Sequence, residues 1–408
     1  MDLKRIEQLF EETAYERLGG SDDELRCANY LKQRCEELGM KSWLETFEVD
    51  MADVHEAVFE ADGMQIPCLG YQCAGTHEVE APLYYLTNTD PYSLSQVRGK
   101  IVMIDTIMRY WMYQDLLENG AVGFVTYNSS FDYDDRDIYQ QELRSFISKG
   151  VKLPAVTLNV KDATALIQNG VTNARIVLKQ NEYKGESRNV VAELPGKTDE
   201  FITLTAHYDS TVLSQGAYDN MSGCIGLLGI AEYFLTHPHR YGLRFVFCGS
   251  EERGLLGSKA YTAAHEEELK KCVLNINLDM IGCAMGHFIA CCTSEEKLVH
   301  YISYFGMETG FGIKSYQDVY SSDSTPFADK GVPAVSFARC APGKAANIHT
   351  RFDTRAVMSA AQMLKDIDFL CAFTQRMACA RFCPVARTMP DNMKEQLDYY
   401  LLRKRKPE

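Results

Sequence analysis

Apolar and polar positions along the 408-residue chain change rhythm three times. Up to about residue 45 the apolar positions recur at helical spacing, and two helices are expected. The second covers SDDELRCANYLKQRCEELG, with Ser21 as N-cap, Glu24 three positions on and Gly39 as the stop. From about 47 to 95 the pattern breaks into short β-like pieces, SWLETFEVD, HEAVFEADG and APLYYLTN, separated by Gly, Pro and Asn. VRGKIVMIDT, a helical stretch from about 109 to 119 and GAVGFVTYNSS then read as a βαβ-like unit. LPAVTLNVKDATALIQNG adds a strand and a helix before ARIVLKQNEY resumes β alternation, so residues 48–183 are expected to form one compact inserted domain.

From SRNVVAELPG onward the rhythm changes again. The apolar runs FITLTAHYD, LRFVFCGSEE, VLNINLDMIG and VPAVSFARC are separated by helical stretches such as SGCIGLLGIAEYFLTH and LGSKAYTAAHEEELKK. That alternation predicts an α/β fold with a mostly parallel central sheet covered by helices on both faces, built from residues 1–47 and 184–408.

Composition narrows the function classes. The chain is 46% hydrophobic and 24% charged, with a net charge of −14 that repels polyanions, so nucleic acid is not an expected partner. The opening MDLKRIEQLFEETAYERLGG reads as a helix rather than a leader, and no window approaches the apolar length of a membrane span. A cytoplasmic protein without a membrane partner is expected. Fourteen cysteines show no C-x-x-C spacing, and several, including Cys248, Cys272, Cys291 and Cys292, sit in apolar runs, so they are read as buried reduced thiols. His237, His239, His265 and His300 fall in loops or surface helices, and the LLRKRKPE tail reads as a solvated helix end.

The chemistry gathers where the apolar runs stop. Ligands of open α/β sheets bind beyond the carboxyl ends of strands. Here those ends carry His207 and Asp209, Glu251 and Glu252, then Asp279, while Asp219 precedes a helix and His349 follows the last apolar run. Carboxylates converging on one crevice need a cation to offset them. Two imidazoles and several carboxylates suit two ions sharing one carboxylate, with one carboxylate left beside a metal-bound water as a base.

Six stretches in order, HYD at 207–209, DNMSG at 219–223, SEERGLLGS at 250–258, NLDMIG at 277–282, SDSTPF at 322–327 and IHTRFDT at 348–354, resemble the di-zinc aminopeptidases, a family that also includes glutamate carboxypeptidase and the transferrin-receptor ectodomain. The resemblance implies two zinc ions, with cobalt or manganese as substitutes, and a peptide substrate shortened from its N-terminus. It implies His207 and Asp279 on one zinc, Glu252 and His349 on the other, and Asp219 bridging them. Glu251 would be the general base toward the bridging water, and Asp209 would orient the His207 imidazole.

The inserted segment resembles a protease-associated domain on VRGKIVMIDT and NGAVGFVTYN, with RYWMYQ at 109–114 in place of a small-residue turn. Ser324 stands where many members have His. Two further readings keep the fold. In a carboxypeptidase, Arg339 or Arg351 would grip the substrate carboxylate; in a silent, receptor-like member, ligands or base would be lost, yet all six residues are present. A one-zinc cyclising enzyme is a third.

Overall fold

The computed structural model describes residues 1–105, 107–343 and 345–407. Thr106, which ends VRGKIVMIDT, and Glu408, which ends the tail, lie outside the described residues. Contacts divide the chain into two compact units, Met1–Phe47 with Glu186–Glu408, and Glu48–Gly185.

The β-like pieces SWLETFEVD and HEAVFEADG, expected as separate strands, belong to a single strand of 21 residues, Lys41–Ala61. No Gly or Pro interrupts that span, so nothing removes a ladder donor and the strand continues through residues 51–54 between the two pieces. ARIVLKQNEY and SRNVVAEL also merge, into Asn173–Leu194, where Gly185 between them keeps its backbone donor and does not end the strand.

In the larger unit the strand order is Ile313–Gln317, His287–Thr293, Ala334–Cys340, Cys272–Leu278, Phe201–His207, Gly242–Cys248 and the end of Asn173–Leu194. The four strands from Ala334–Cys340 to Gly242–Cys248 run parallel, while antiparallel neighbours flank them on either side. Phe201–His207 is buried at every position, as a central parallel strand covered on both faces must be. From it the chain crosses to Gly242–Cys248 on one side and then to Cys272–Leu278 on the other. That change of direction opens a crevice at the carboxyl end of Phe201–His207.

Both faces of this sheet are covered. One carries a core of Ile6, Leu9, Leu31, Leu227, Ile302 and Phe369, contributed by the N-terminal helices and by Ser222–Phe234, Glu296–Thr309 and Ala360–Cys379. The other packs Val246 and Cys248 against Tyr261 and Phe327 from Leu256–Ala264 and Ser324–Asp329. The smaller unit has its own parallel strands, His77–Tyr85, Ile101–Asp105, Gly123–Asn128 and Ala155–Asn159, over a core of Met103, Val125, Val156 and Leu166.

All fourteen cysteines are free thiols. Among the described residues no helix is long and apolar enough to cross a membrane. The basic tail is tied down: Arg403 donates to both oxygens of Asp329, and Lys404 pairs with Asp398.

Candidate metal centre

Three parallel strands stop at nearly one level, with Cys248 opposite His207 and Asn277 opposite Thr205. His207 is the last residue of its strand, and Asp279 follows Leu278 directly. Beneath them a buried polar chain fixes the register. Thr205 donates to Asn277, Asn277 donates to Ser322 and Ser336, and the Ser324 and Ser336 hydroxyls lie 2.8 Å apart. Ser324, the departure from the family pattern, is therefore a buried supporting residue below the crevice.

Asp219 lies at the centre. Its Oδ1 is 3.1 Å from His207 Nε2, and its Oδ2 is 3.0 Å from His349 Nε2. His349 Nε2 is also 3.0 Å from Glu252 Oε1, while His207 Nε2 stands 3.7 Å from Asp279 Oδ1 and 4.0 Å from Glu251 Oε2. Three ligand-sized groups result, His207 with Asp219 and Asp279, Asp219 with Glu252 and His349, and His207 with Glu251 and Glu252, each with donor atoms within 4.8 Å of one another. The sequence-selected donors thus come together, with His207 fully buried and His349 half exposed on the loop beyond Ala334–Cys340.

Asp209 stands in the turn beyond the strand rather than on the strand face. Its Oδ1 is 3.4 Å from His207 Nδ1, and its two oxygens accept the backbone N–H groups of Glu251, at 2.9 Å, and Glu252, at 3.1 Å. The carboxylate therefore holds the turn carrying the proposed base as well as facing the imidazole.

Burial first, and crowding of carboxylates second, shifts the ionisable groups of the site. Burial, with Glu252 and Asp323 adding to it, pushes the Glu251 pKa well up; burial also raises Glu252, and pushes Asp323 up to about 7. Burial opposes protonation of His207 and His349, yet neighbouring carboxylates, Glu251 for one and Glu252 for the other, hold both well above the usual imidazole range. Asp219 is pulled down, because its bonds to the two imidazoles outweigh burial. The buried Asp279 Oδ1 accepts no hydrogen bond from any described residue. Imidazole and carboxylate donors with surplus negative charge and an orphaned oxygen fit zinc.

Supporting residues escaped the sequence reading. Asp353 accepts the N–H of Tyr218 at 2.8 Å and of Asp219 at 3.1 Å; the Asp219–Asn220 peptide is cis. The Asn220 side chain donates to Leu278 O and accepts from Met280 N, joining the Asp219 turn to the Asp279 turn. Buried Arg17 donates to the carbonyls of Tyr208, Gln215 and Gly216. Glu24, with no exposed surface, reaches Ser250; burial, then the Asp209 charge, pushes its pKa up to about 7. Asp353 lay within IHTRFDT, and Glu24 carried only a capping signal.

Arg339 does not line the site as a free anchor for a substrate carboxylate. It is buried, its guanidinium is bidentate to Asp366, and Nη1 donates to Gly286 O at 2.9 Å. A guanidinium so committed has no open face for a second carboxylate.

Residues 189–373 match the model of peptidase family M28. Aminopeptidase YwaD of Bacillus subtilis is 28% identical over 251 residues, 60% of this chain and 54% of that protein. A vacuolar membrane protease of Saccharomyces cerevisiae is 34% identical over 139 residues, 34% of this chain and 14% of that protein. The matched stretches thus span about half or less of these relatives. Among solved structures, an aminopeptidase from Aneurinibacillus sp. strain AM-1 superimposes with a TM-score of 0.77 at 22% identity, covering 94% of this chain and 96% of that one. BSAP, a zinc aminopeptidase from Bacillus subtilis, gives 0.76 at 24%, covering 95% and 96%. These likenesses establish a mixed α/β fold with a helix-flanked sheet. The stretch that matches the M28 model contains every member of the carboxylate and imidazole cluster.

Proposed function

We propose that this protein is a zinc-dependent aminopeptidase that removes N-terminal residues from short peptides. His207 and Asp279 would hold one zinc ion, Glu252 and His349 a second, and Asp219 would serve both. The observation that carries this reading is the division of Asp219, with one oxygen toward His207 and the other toward His349. Zinc, when bound there, supplies Lewis acidity toward water and the scissile carbonyl, and cobalt or manganese suits the same donors.

The chain's own residues do the rest. Glu251, raised in pKa by burial, takes a proton from the attacking water and returns it to the leaving amine. Asp209 keeps Glu251 and Glu252 in place through their backbone N–H groups. Acidic surroundings favour the ammonium of a free N-terminus over a terminal carboxylate, and the commitment of Arg339 to Asp366 weighs the same way. We read Glu48–Gly185 as a protease-associated domain and expect a cytoplasmic protein.

The test pairs zinc titration with hydrolysis of an aminoacyl anilide. Two zinc equivalents per chain and chelator-sensitive cleavage that requires a free α-amine are expected. A zinc-loaded protein that cleaves the acetylated anilide equally well would overturn the aminopeptidase reading.

A further inference from the structure

Helix Asp22–Glu37 begins like an ordinary capped helix, because Ser21 Oγ accepts the Glu24 N–H at 3.1 Å. In a reciprocal capping box the Glu24 carboxylate would return to the Ser21 N–H. It does not. Oε2 takes the N–H of Gly20 at 2.7 Å, and Oε1 leaves the helix altogether. Oε1 accepts from the Ser187 hydroxyl at 2.7 Å, the Ser250 N–H at 2.9 Å and the Ser250 hydroxyl at 3.0 Å.

Ser250 immediately precedes the proposed base and ligand, Glu251 and Glu252, and its backbone lies in the left-handed region with φ 51°. The next two N–H groups go to Asp209. Three successive backbone donors, from residues 250, 251 and 252, are therefore held by two buried carboxylates, the first 226 positions away in sequence. The turn is also packed tight on the Glu24 side: a Cβ added at Gly249 would lie 2.9 Å from Glu24 Oε1, and one at Gly19 would lie 2.5 Å from Ser250 Oγ. A buried carboxylate is tolerated where donors satisfy it, and one aimed at a row of N–H groups fixes that row more firmly than a neutral acceptor would.

We propose that Glu24 is a positioning residue for the Ser250–Glu252 turn: by holding the Ser250 N–H and hydroxyl, it sets the direction in which the Glu251 and Glu252 side chains leave the backbone. It touches neither substrate nor metal. Glu24 lies outside the residues that match the family model, so the N-terminal helix contributes to the site from beyond that segment. The proposal rests on the zinc aminopeptidase reading for its kinetic consequence, and on the ligand role of Glu252 for its effect on metal affinity.

The experiment compares Glu24→Ala, Glu24→Gln and Ser21→Ala with the wild-type chain. It records zinc affinity by calorimetry, kcat and KM on an aminoacyl anilide, and the unfolding midpoint. Glu24→Ala should lower kcat by about 10- to 100-fold and weaken binding of the zinc assigned to Glu252 and His349 by about tenfold, the range seen when a ligand's supporting partner is lost, with KM within about threefold. Glu24→Gln keeps one acceptor for Ser250 but carries no charge, and should recover only part of both losses, leaving kcat and zinc affinity below those of Ser21→Ala. Ser21→Ala removes only the cap and should lower the unfolding midpoint with kcat unchanged.

If Glu24→Ala does not fold, the Gln variant still decides, because kcat and zinc affinity both indistinguishable from Ser21→Ala would overturn the proposal. So would losses that track the unfolding midpoint across all three variants. A wild-type chain that binds zinc without cleaving the anilide would sink the aminopeptidase reading. The calorimetric comparison would then still support Glu24 if its variants weaken zinc, or overturn it if they do not.

Discussion

Glu251 is surrounded by acidic neighbours and lies 4.0 Å from His207, while its backbone N–H is held by Asp209. If it moves the proton, Glu251→Gln should lower kcat by about 10²- to 10⁴-fold, the usual share of a general base, while zinc stoichiometry stays at the wild-type value. Steady-state kinetics with metal analysis checks this, and activity within twofold of wild type would remove Glu251 from that role. His265 offers a pH prediction away from the metal centre. Its Nε2 lies 3.0 Å from Glu45, and that hydrogen bond, outweighing burial, raises the His265 pKa above 6.5. Burial would raise Glu45, but the bonds from His265 and Trp43 win and lower it below 4.5. The His265 share of stability is thus fully present below the unfolded value and is lost as pH rises through the raised folded value. The Glu45 share is present above its unfolded value and is lost as pH falls through the depressed one. The difference in unfolding midpoint between wild type and His265→Gln should therefore be largest between the two ordinary values and shrink toward either extreme; a difference that does not vary with pH would contradict the pairing. The donors were legible in sequence because each sits in a short local motif, at or just beyond a strand end for His207, Glu252 and Asp279 and in a connecting segment for Asp219 and His349. Glu24 was not, because its partners at 187 and 250 lie 163 and 226 positions away and only folding brings them together.

At the scale of elements, the site depends on junctions between strand ends and helices. Asp366, buried in helix Ala360–Cys379, accepts the Gly282 N–H at 2.9 Å and the Arg339 guanidinium, tying the turn after Asp279 to the end of Ala334–Cys340. Asp366→Ala would leave a buried guanidinium without its partner, and unfolding by denaturant should show a loss of about 3–5 kcal/mol. A loss below about 1 kcal/mol would mean that water reaches Arg339 in the variant. Gly223, in the first turn of Ser222–Phe234, packs where an added Cβ would stand 2.4 Å from Leu278 O, which explains the small residue in DNMSG. The apolar runs gave away the parallel strands because burial on both faces leaves few polar positions, Thr203, Thr205, Asn275 and Asn277 among them, and these are themselves buried. Asn173–Leu194 was read as fragments because its middle is polar and exposed, where periodicity carries little signal, and Lys41–Ala61 because Val49 and Ala52, buried three positions apart in its middle, break the two-residue alternation.

For the whole molecule, two compact units with separate cores predict separable responses to metal. Among the described residues the grouped imidazole and carboxylate donors lie in the larger unit, so zinc should stabilise that unit's folded state by binding it in preference to the unfolded chain, by about 2.7 kcal/mol at a hundredfold excess over Kd. In scanning calorimetry, chelator should lower the transition of the larger unit and leave that of Glu48–Gly185 in place; equal shifts of both would contradict the separation. The central claim is an aminopeptidase, and mass spectrometry of the products from a mixed peptide pool tests it most directly. Each peptide is supplied with a free and with an acetylated N-terminus to zinc-loaded protein, with and without chelator. Stepwise loss of N-terminal residues from the free peptides alone, abolished by chelator, is the predicted result. Loss from the C-terminus, or equal cleavage of the acetylated peptides, would contradict the account.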